Sequence, residues 1–309
     1  MSLSDALEWI EQISNYRNGW VKVISLTGGE PFYDVEKLKR VTDFASSKRL
    51  LVSVVTNAFW ASTIENARRI LNEVPAIDML AISTDVYHQE CIPLENTANA
   101  AQAAKELRIP LNVHVCTEDE DDENYKKTVD YLTTIVERDM INTTITFPVG
   151  RALKETDALR PDRTTEAPLS ACSSGNSPII FPNGNVIACI GPVIHLKSTH
   201  PLVLGNLNQN ALATIFDKAE VNPVLHSIRV WGPKKLISMI KDSGFQGLLP
   251  STYMRENPCD ACYKLMSNSK LVALIGKLAE DPKFQLNVAY ARAFYLGETR
   301  MAELFEVKA

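Results

Sequence analysis

No apolar run in this chain approaches the ~18 residues that a membrane-spanning helix needs. The opening MSLSDALEWIEQ has no basic stretch followed by an apolar one. Neither a membrane partner nor a secretory leader is expected, and the compartment predicted is the cytoplasm. Clustered Lys and Arg are missing too: 32 basic against 37 acidic residues leave a net charge of -5. Without a basic field there is nothing to gather nucleic acid or anionic lipid, so neither is expected as a partner. No internal repeat is found. What remains is ordinary: 45% hydrophobic and 22% charged residues over 309 positions describe a folded protein with room for a large α/β domain, or a domain of about 150 residues plus a smaller one.

Six cysteines in such a chain are read as metal ligands, reactive groups or core residues rather than disulfides, because the cytosol keeps thiols reduced. Cys91 and Cys116 are isolated. Cys172, Cys189, Cys259 and Cys262 fall in one later segment, outside the strongly periodic part of the chain.

From residue 3 to about 150, strand-like runs at 21–27, 50–56, 78–84, 110–116 and 143–148 alternate with helical patterns near 4–15, 34–48, 62–73, 95–107 and 122–138. That alternation argues for a parallel sheet built by right-handed crossovers. The runs are rich in Val, Ile, Leu and Thr, as fits strands buried on both faces. Ser2 and Asp5 form a capping-box pattern at the first helix. The Pro-, Thr- and charge-rich stretch around 153–170 reads as a linker. The expected division is 1–155, then a cysteine-containing region over 156–268, then a helical segment over 269–309. In the second region SPIIFPNGNVIACI is two β-rich runs around Asn183-Gly184, a type I′ hairpin signal. Helices are expected near 210–219, 222–230 and 234–242, and over most of 269–305.

Thr27-Gly28-Gly29-Glu30-Pro31 places two glycines and an acid at the carboxyl end of the first strand, where parallel α/β sheets hold ligands. Alone it is equally a tight turn with a capping Glu. The next strand ends in Thr56-Asn57 and the third runs into Ser83-Thr84-Asp85-Val86-Tyr87-His88. One such end is usually a cap or an Asx turn; three on one rim look like a binding site. The run Glu118-Asp119-Glu120-Asp121-Asp122-Glu123 reads as a solvated helix start. Trp231, Phe245 and the aromatics near 289–305 are expected in the core.

Together these ends resemble the radical S-adenosylmethionine (SAM) enzymes. Thr27-Gly28-Gly29-Glu30-Pro31 resembles their GGE motif, whose turn receives the methionine amino group. Thr56-Asn57 resembles the Thr-Asn-Gly strand end, with Ala58 in place of the glycine. Ser83 and Asp85, with His88 behind, resemble the element lining the SAM pocket, and Pro148-Val149-Gly150-Arg151-Ala152 resembles the Gly-Arg-Ala segment that closes many of these partial barrels. The resemblance implies a partial (β/α) barrel, with Gly28, Gly29, Glu30, Asn57, Ser83 and Asp85 binding SAM.

Cys259-x2-Cys262 places two sulfurs close enough for one metal, and with Cys172 and Cys189 the spacing fits either tetrahedral zinc or a [4Fe–4S] cluster. Cys172-x11-Gly184-x4-Cys189 followed by Pro258-Cys259-x2-Cys262 resembles the auxiliary-cluster region called SPASM, in the shortened twitch form that holds one cluster. The resemblance thus implies one auxiliary [4Fe–4S] cluster in a small α+β domain with a hairpin and helices, with zinc as the alternative.

The Cys-x3-Cys-x2-Cys triplet that holds the family's catalytic cluster is not present among the 309 residues. In the family it precedes the helix that starts here near Asp5. The expectation is that the natural protein carries the missing first strand and triplet upstream of Met1. As written, the chain is expected not to cleave SAM. The full-length form would then modify a peptide or protein side chain through a 5′-deoxyadenosyl radical, served by an electron-donor protein. The alternatives are a small-molecule substrate in cofactor biosynthesis, and a cluster-less relative that binds a substrate or partner around a structural Fe–S or Zn site.

Overall fold

The structure, a computed structural model, describes residues 1–117, 119–145, 162–255 and 257–302. Glu118, the Pro148–Ala152 match and residues 153–161 of the expected linker lie outside them. The chain divides into two compact units, Met1–Thr146 and Phe147–Ala309.

In the first unit α1 (Leu3–Asn15) is followed by β1 (Val23–Leu26), α2 (Val35–Ser47), β2 (Leu51–Thr56), α3 (Ile64–Glu73), β3 (Met79–Thr84), the single turn α4 (Val86–Gln89), α5 (Leu94–Glu106), β4 (Leu111–Thr117), α6 (Glu123–Thr133) and β5 (Ile141–Ile145). The five strands are all parallel, in the order β1-β2-β3-β4-β5. This is an α/β architecture consistent with a partial β/α barrel. Caps fall where the sequence offers them. The Ser2–Asp5 capping box opens α1, and Asp34, Thr63 and Asp122 cap α2, α3 and α6.

The strands are not apolar on both faces. Side chains alternate across a strand, and Val52, Val54, Leu80, Ile82, Val113, Val115 and Ile141 enter one core with Leu38, Val41, Leu71 and Leu132 of the helices. Four fully buried alanines of α5, Ala100, Ala101, Ala103 and Ala104, let that helix pack close. The opposite face is polar in large part. In register it carries Ser25 beside Ser53, Val55 beside Ala81, Ala81 beside Asn112, Ser83 beside His114, His114 beside Asn142, and Cys116 beside Thr144. The expectation of two apolar faces came from the Val- and Leu-rich runs of β2 and β3; β4 and β5 depart from it.

The second unit holds β6 (Arg163–Thr164), β7 (Ile179–Ile180), β8 (Asn185–Ile187), β9 (Val203–Asn206), α7 (Leu212–Glu220), α8 (Pro223–Trp231), α9 (Pro233–Asp242), β10 (Tyr253–Met254), α10 (Pro258–Ser267), α11 (Ser269–Ala279) and α12 (Pro282–Leu296). β7, β8 and β9 form an antiparallel sheet, and β10 pairs with β6. The hairpin at Asn183-Gly184 is present, but among its turn residues only Gly184 has positive φ (83°), and Gly184 N–H donates to Phe181 O at 2.8 Å. A type I′ turn needs two such residues, so this is a type I turn closed by a left-handed glycine.

The core of this unit gathers Leu225, Ile228, Leu236, Ile240, Leu265, Met266 and Leu271. Beside it Arg292 pairs with Glu220 and Glu298, and Arg229 with Glu298 at 2.7 Å. Arg229 also lies 2.9 Å from His226 Nδ1. Burial, then the Arg292 and Arg229 charges, pushes the His226 pKa down to about 3, so its neutral ring accepts from the guanidinium. Two expectations are corrected here. The aromatics Tyr290, Phe294 and Tyr295 are exposed, because α12 turns Phe284, Val288, Ala291 and Arg292 inward at helical spacing, and Phe245, in the loop after α9, is exposed as well. The Cys-x2-Cys pair lies at the start of helix α10, in a stretch for which no helix was expected.

Candidate functional site

β1 runs out at Leu26 into Thr27, and Gly28 and Gly29 both take left-handed backbone, φ 84° and 57°. A Cβ at either glycine would meet nothing within 4 Å. It is the backbone shape, not crowding, that calls for glycine, and the turn is left open above. Glu30 then caps the short helical turn at Pro31–Tyr33, accepting from Phe32 N–H at 3.1 Å.

The same carboxylate reaches across to the end of β2. Thr56 Oγ1 donates to Glu30 Oε1 at 2.8 Å and Asn57 N–H to Oε2 at 2.8 Å. Thr56 Oγ1 in turn accepts from Trp60 Nε1 at 2.9 Å. The Trp60 ring stacks on Phe32 with centroids 4.4 Å apart. Glu30 is therefore a strut that fixes the glycine turn of β1 against the tip of β2. Ala58, where the family pattern has glycine, has φ 60° with its side chain fully buried, a left-handed position that explains why glycine suits it. Asn57 Oδ1 accepts from Phe59 N–H at 3.1 Å. The Asn57 amide nitrogen has no partner among the described residues.

At the end of β3, Ser83 Oγ donates weakly to Thr56 O at 3.4 Å. Asp85 is buried and caps α4 through His88 N–H at 2.7 Å. His88 Nδ1 lies 2.8 Å from Asp85 Oδ2, an ion-pair distance without hydrogen-bond alignment. Burial alone would raise the Asp85 carboxyl, but His88's side chain and backbone N–H outweigh it and hold its pKa below the ordinary value. His88 is pushed up by its contact with Asp85, against the opposing effect of burial, and the charge of Glu30 adds to the rise. Burial, then the Asp85 charge, pushes the Cys116 thiol of β4 up to about 11, so it stays protonated. The ends of β1 to β4 thus lie within electrostatic reach of one another, and Gly28, Gly29, Glu30, Asn57, Ser83 and Asp85 share one rim.

The open-face residues Asn112, His114 and Asn142 were not expected at a site. The signal was there in β4, where Asn112, His114 and Cys116 alternate with Val113 and Val115.

In the second unit the four cysteines are all free thiols, brought from three separate segments of the chain. Cys172 N–H donates to Ile228 O at 3.1 Å, anchoring it to the end of α8. Cys189 follows β8, and its sulfur accepts from Gly191 N–H at 3.2 Å. Cys259 and Cys262 share one side of the first turn of α10, which Asn257 caps. A Cβ on Gly191 would sit 3.4 Å from Cys259 Sγ and 3.7 Å from Cys189 Sγ, so this glycine fills the space between two sulfurs. Burial first, and then the neighbouring thiols, raise three of them. Cys259 reaches about 11 under Cys189 and Cys172, Cys262 is raised by Cys172, Cys259 and Cys189, and Cys189 by Cys172. Among the described residues no three His, Cys, Asp or Glu side chains form a ready metal cage. The donor set nevertheless fits a soft metal: four thiols, three of them, Cys189, Cys259 and Cys262, penalised as free thiolates by burial and by their neighbours, around a glycine that leaves room.

A parallel α/β sheet with polar groups and a glycine turn at its strand ends is consistent with a partial β/α barrel, and the model of the radical SAM superfamily matches residues 1–132. Over 268 residues the chain is 22% identical to "Putative peptide biosynthesis protein YydG" of Bacillus subtilis (strain 168), covering 83% of this chain and 80% of that protein. A solved structure of an O-GlcNAc hydrolase variant from Thermobaculum terrenum aligns over 100% of this chain and 75% of that one, at 11% identity and a TM-score of 0.36. A likeness at that level carries no argument.

Proposed function

We propose that the first unit binds SAM at the β1–β3 rim, and that the protein in its full-length form is a radical SAM-type enzyme acting on a peptide. The observation that carries the reading is the Glu30 strut: it holds two left-handed glycines open at the end of a parallel strand, next to the Asn57 amide and the buried Asp85 carboxylate. In this reading the Gly28-Gly29 backbone receives the amino end of the ligand. Asn57 and Ser83 supply neutral polar contacts, and Asp85, kept ionised by His88, supplies a negative charge suited to a cationic ligand. The peptide substrate is suggested by the relative whose name assigns it to peptide biosynthesis.

Cys172, Cys189, Cys259 and Cys262 would hold one auxiliary [4Fe–4S] cluster, with zinc as the alternative. A SAM-ligated cluster, when bound, supplies reductive cleavage of SAM and hydrogen abstraction. The residues described here bind, orient and shield the reactants. The test is anaerobic reconstitution of residues 1–309, with iron and sulfide counted and SAM binding measured by equilibrium dialysis in wild type and Asp85→Ala. The expected result is about four irons per chain, SAM bound by wild type and weakened about tenfold or more in Asp85→Ala, and no cleavage under reductant. Zinc in place of iron would overturn the cluster assignment, and SAM binding indifferent to Asp85 would overturn the rim assignment.

A further inference from the structure

We infer that the sheet face turned away from the helices is a substrate surface over β3–β5, where His114, flanked in register by Ser83 and Asn142, sets specificity for uncharged amide and hydroxyl groups. This rests on the peptide reading above and extends it from the rim to the face beneath.

The register carries the inference. Ser83, His114 and Asn142 are lateral neighbours across three strands, with Asn112 one step below His114 and the Cys116–Thr144 pair one step above. The other side of the same strands is apolar or already satisfied. Val113, Val115 and Ile141 are core, and Thr143 is used by Tyr125, whose hydroxyl lies 2.5 Å from its own. The side chains of Asn112, His114 and Asn142 therefore lie together on the face away from the core, where they do nothing to hold the sheet to its helices.

The groups on that face have unfilled hydrogen-bonding capacity. Asn112 Oδ1 is enclosed and has no partner among the described residues. His114 is half-buried and Asn142 exposed, and neither side chain has a hydrogen-bond or ion-pair partner among the described residues. Burial lowers the His114 pKa, so the ring stays neutral near pH 7 and presents one donor and one acceptor. Half-buried polar groups without partners cost stability unless something meets them.

Charge decides the class of ligand. β3, β4 and β5 carry no Asp, Glu, Lys or Arg. The nearby carboxylates, Glu30 and Asp85, sit at the rim and are engaged by Thr56, Asn57 and His88. An anion would find no counter-charge on this face. An apolar ligand would leave the Asn142 carboxamide and an imidazole unmet. A peptide amide, a donor and an acceptor together, matches the exposed Asn142 carboxamide and a neutral imidazole.

The test is saturation-transfer NMR on the full chain with capped tripeptides, N-acetyl-Ala-Xaa-Ala-amide, where Xaa is Asn, Ser, Asp or Lys, in the presence and absence of SAM. Asn142→Ala, at an exposed position that does not disturb the core, accompanies His114→Phe and His114→Gln. The Asn and Ser peptides are expected to receive saturation. Each of Asn142→Ala and His114→Phe should lower their affinity about threefold to tenfold, the loss of one hydrogen bond, and His114→Gln should restore part of it. Transfer that is absent, that is unchanged in the variants, or that favours the charged peptides would overturn the inference. So would loss of SAM contact in Asn142→Ala with the peptide signal intact, which would give the face to the cofactor. Peptide transfer that depends on His114, in a chain that binds no SAM, would support the face while sinking the radical SAM reading.

Discussion

Asp85 and His88 shift each other in opposite directions, and this gives the rim a pH signature. His88 is raised from 6.5 in the folded chain, so its contribution is complete below that value and is lost as pH rises through the higher folded pKa. Asp85 is lowered from 3.8, so its contribution is present above that value and is lost as pH falls through the lower folded pKa. The pair therefore stabilises the fold in between. With the His88 side chain 37% exposed, the gain is discounted to below about 1 kcal/mol. Thermal melts should show wild type losing stability relative to Asp85→Asn as pH rises from 6 into the alkaline range. A constant difference between them would rule out the coupling. At Glu30 the effect is larger. Glu30→Ala removes the acceptor of three hydrogen bonds and should cost about 2–3 kcal/mol. Glu30→Gln keeps one oxygen but turns an amide donor toward Thr56 or Asn57 N–H, and should recover less than half of that. Urea denaturation followed by Trp60 fluorescence measures both.

Among the elements, the α8–α9 junction is the least tolerant of change. Gly232 has φ 74°, and a Cβ there would lie 1.9 Å from Ser170 O, a backbone atom that cannot swing aside. Gly232→Ala should cost about 3 kcal/mol or more, since strain and overlap add. A drop in the urea midpoint of less than half that size would mean the segment around Ser170 moves freely. The elements were also the most readable part of the sequence. Five strands and their helices followed from short apolar runs alternating with amphipathic stretches, because each crossover helix needs one apolar stripe. α10 was not read as a helix, because Pro258 and the two cysteines drew attention to ligand spacing rather than to the apolar positions Ala261, Leu265 and Met266. Two features of the site were legible only in part. Gly28-Gly29-Glu30 announces a special turn, but the bonds from Glu30 to Thr56 and Asn57 join residues far apart in sequence, and no local pattern encodes them. The alternation of Asn112, His114 and Cys116 was visible. Its meaning depended on knowing which face the helices cover.

At the scale of the whole chain, the two hydrophobic cores share no residue: one draws on positions 6 to 141, the other on 167 to 288. Three of the four candidate metal ligands, Cys172, Cys189 and Cys262, pack in or against the second, and Cys259 shares helix α10 with Cys262. Any metal that binds them is linked to the folding of that unit alone, because a ligand stabilises the state that holds its site. Two unfolding transitions are therefore expected. Trp231 reports the second, and Trp9 and Trp60 the first, when read one at a time in Trp→Phe variants. Reconstitution with iron and sulfide, or loading with zinc, should raise the Trp231 transition on the order of 10 °C, as occupancy about a thousandfold above Kd contributes roughly 4 kcal/mol. The Trp9 and Trp60 transition should stay in place. Chelation should return the Trp231 transition to its metal-free temperature, and Cys262→Ser should abolish the metal-induced rise, because that sulfur is the most enclosed of the four. A single transition that moves as a whole on metal binding would show that the two cores unfold together, and a rise that survives Cys262→Ser would place the metal elsewhere.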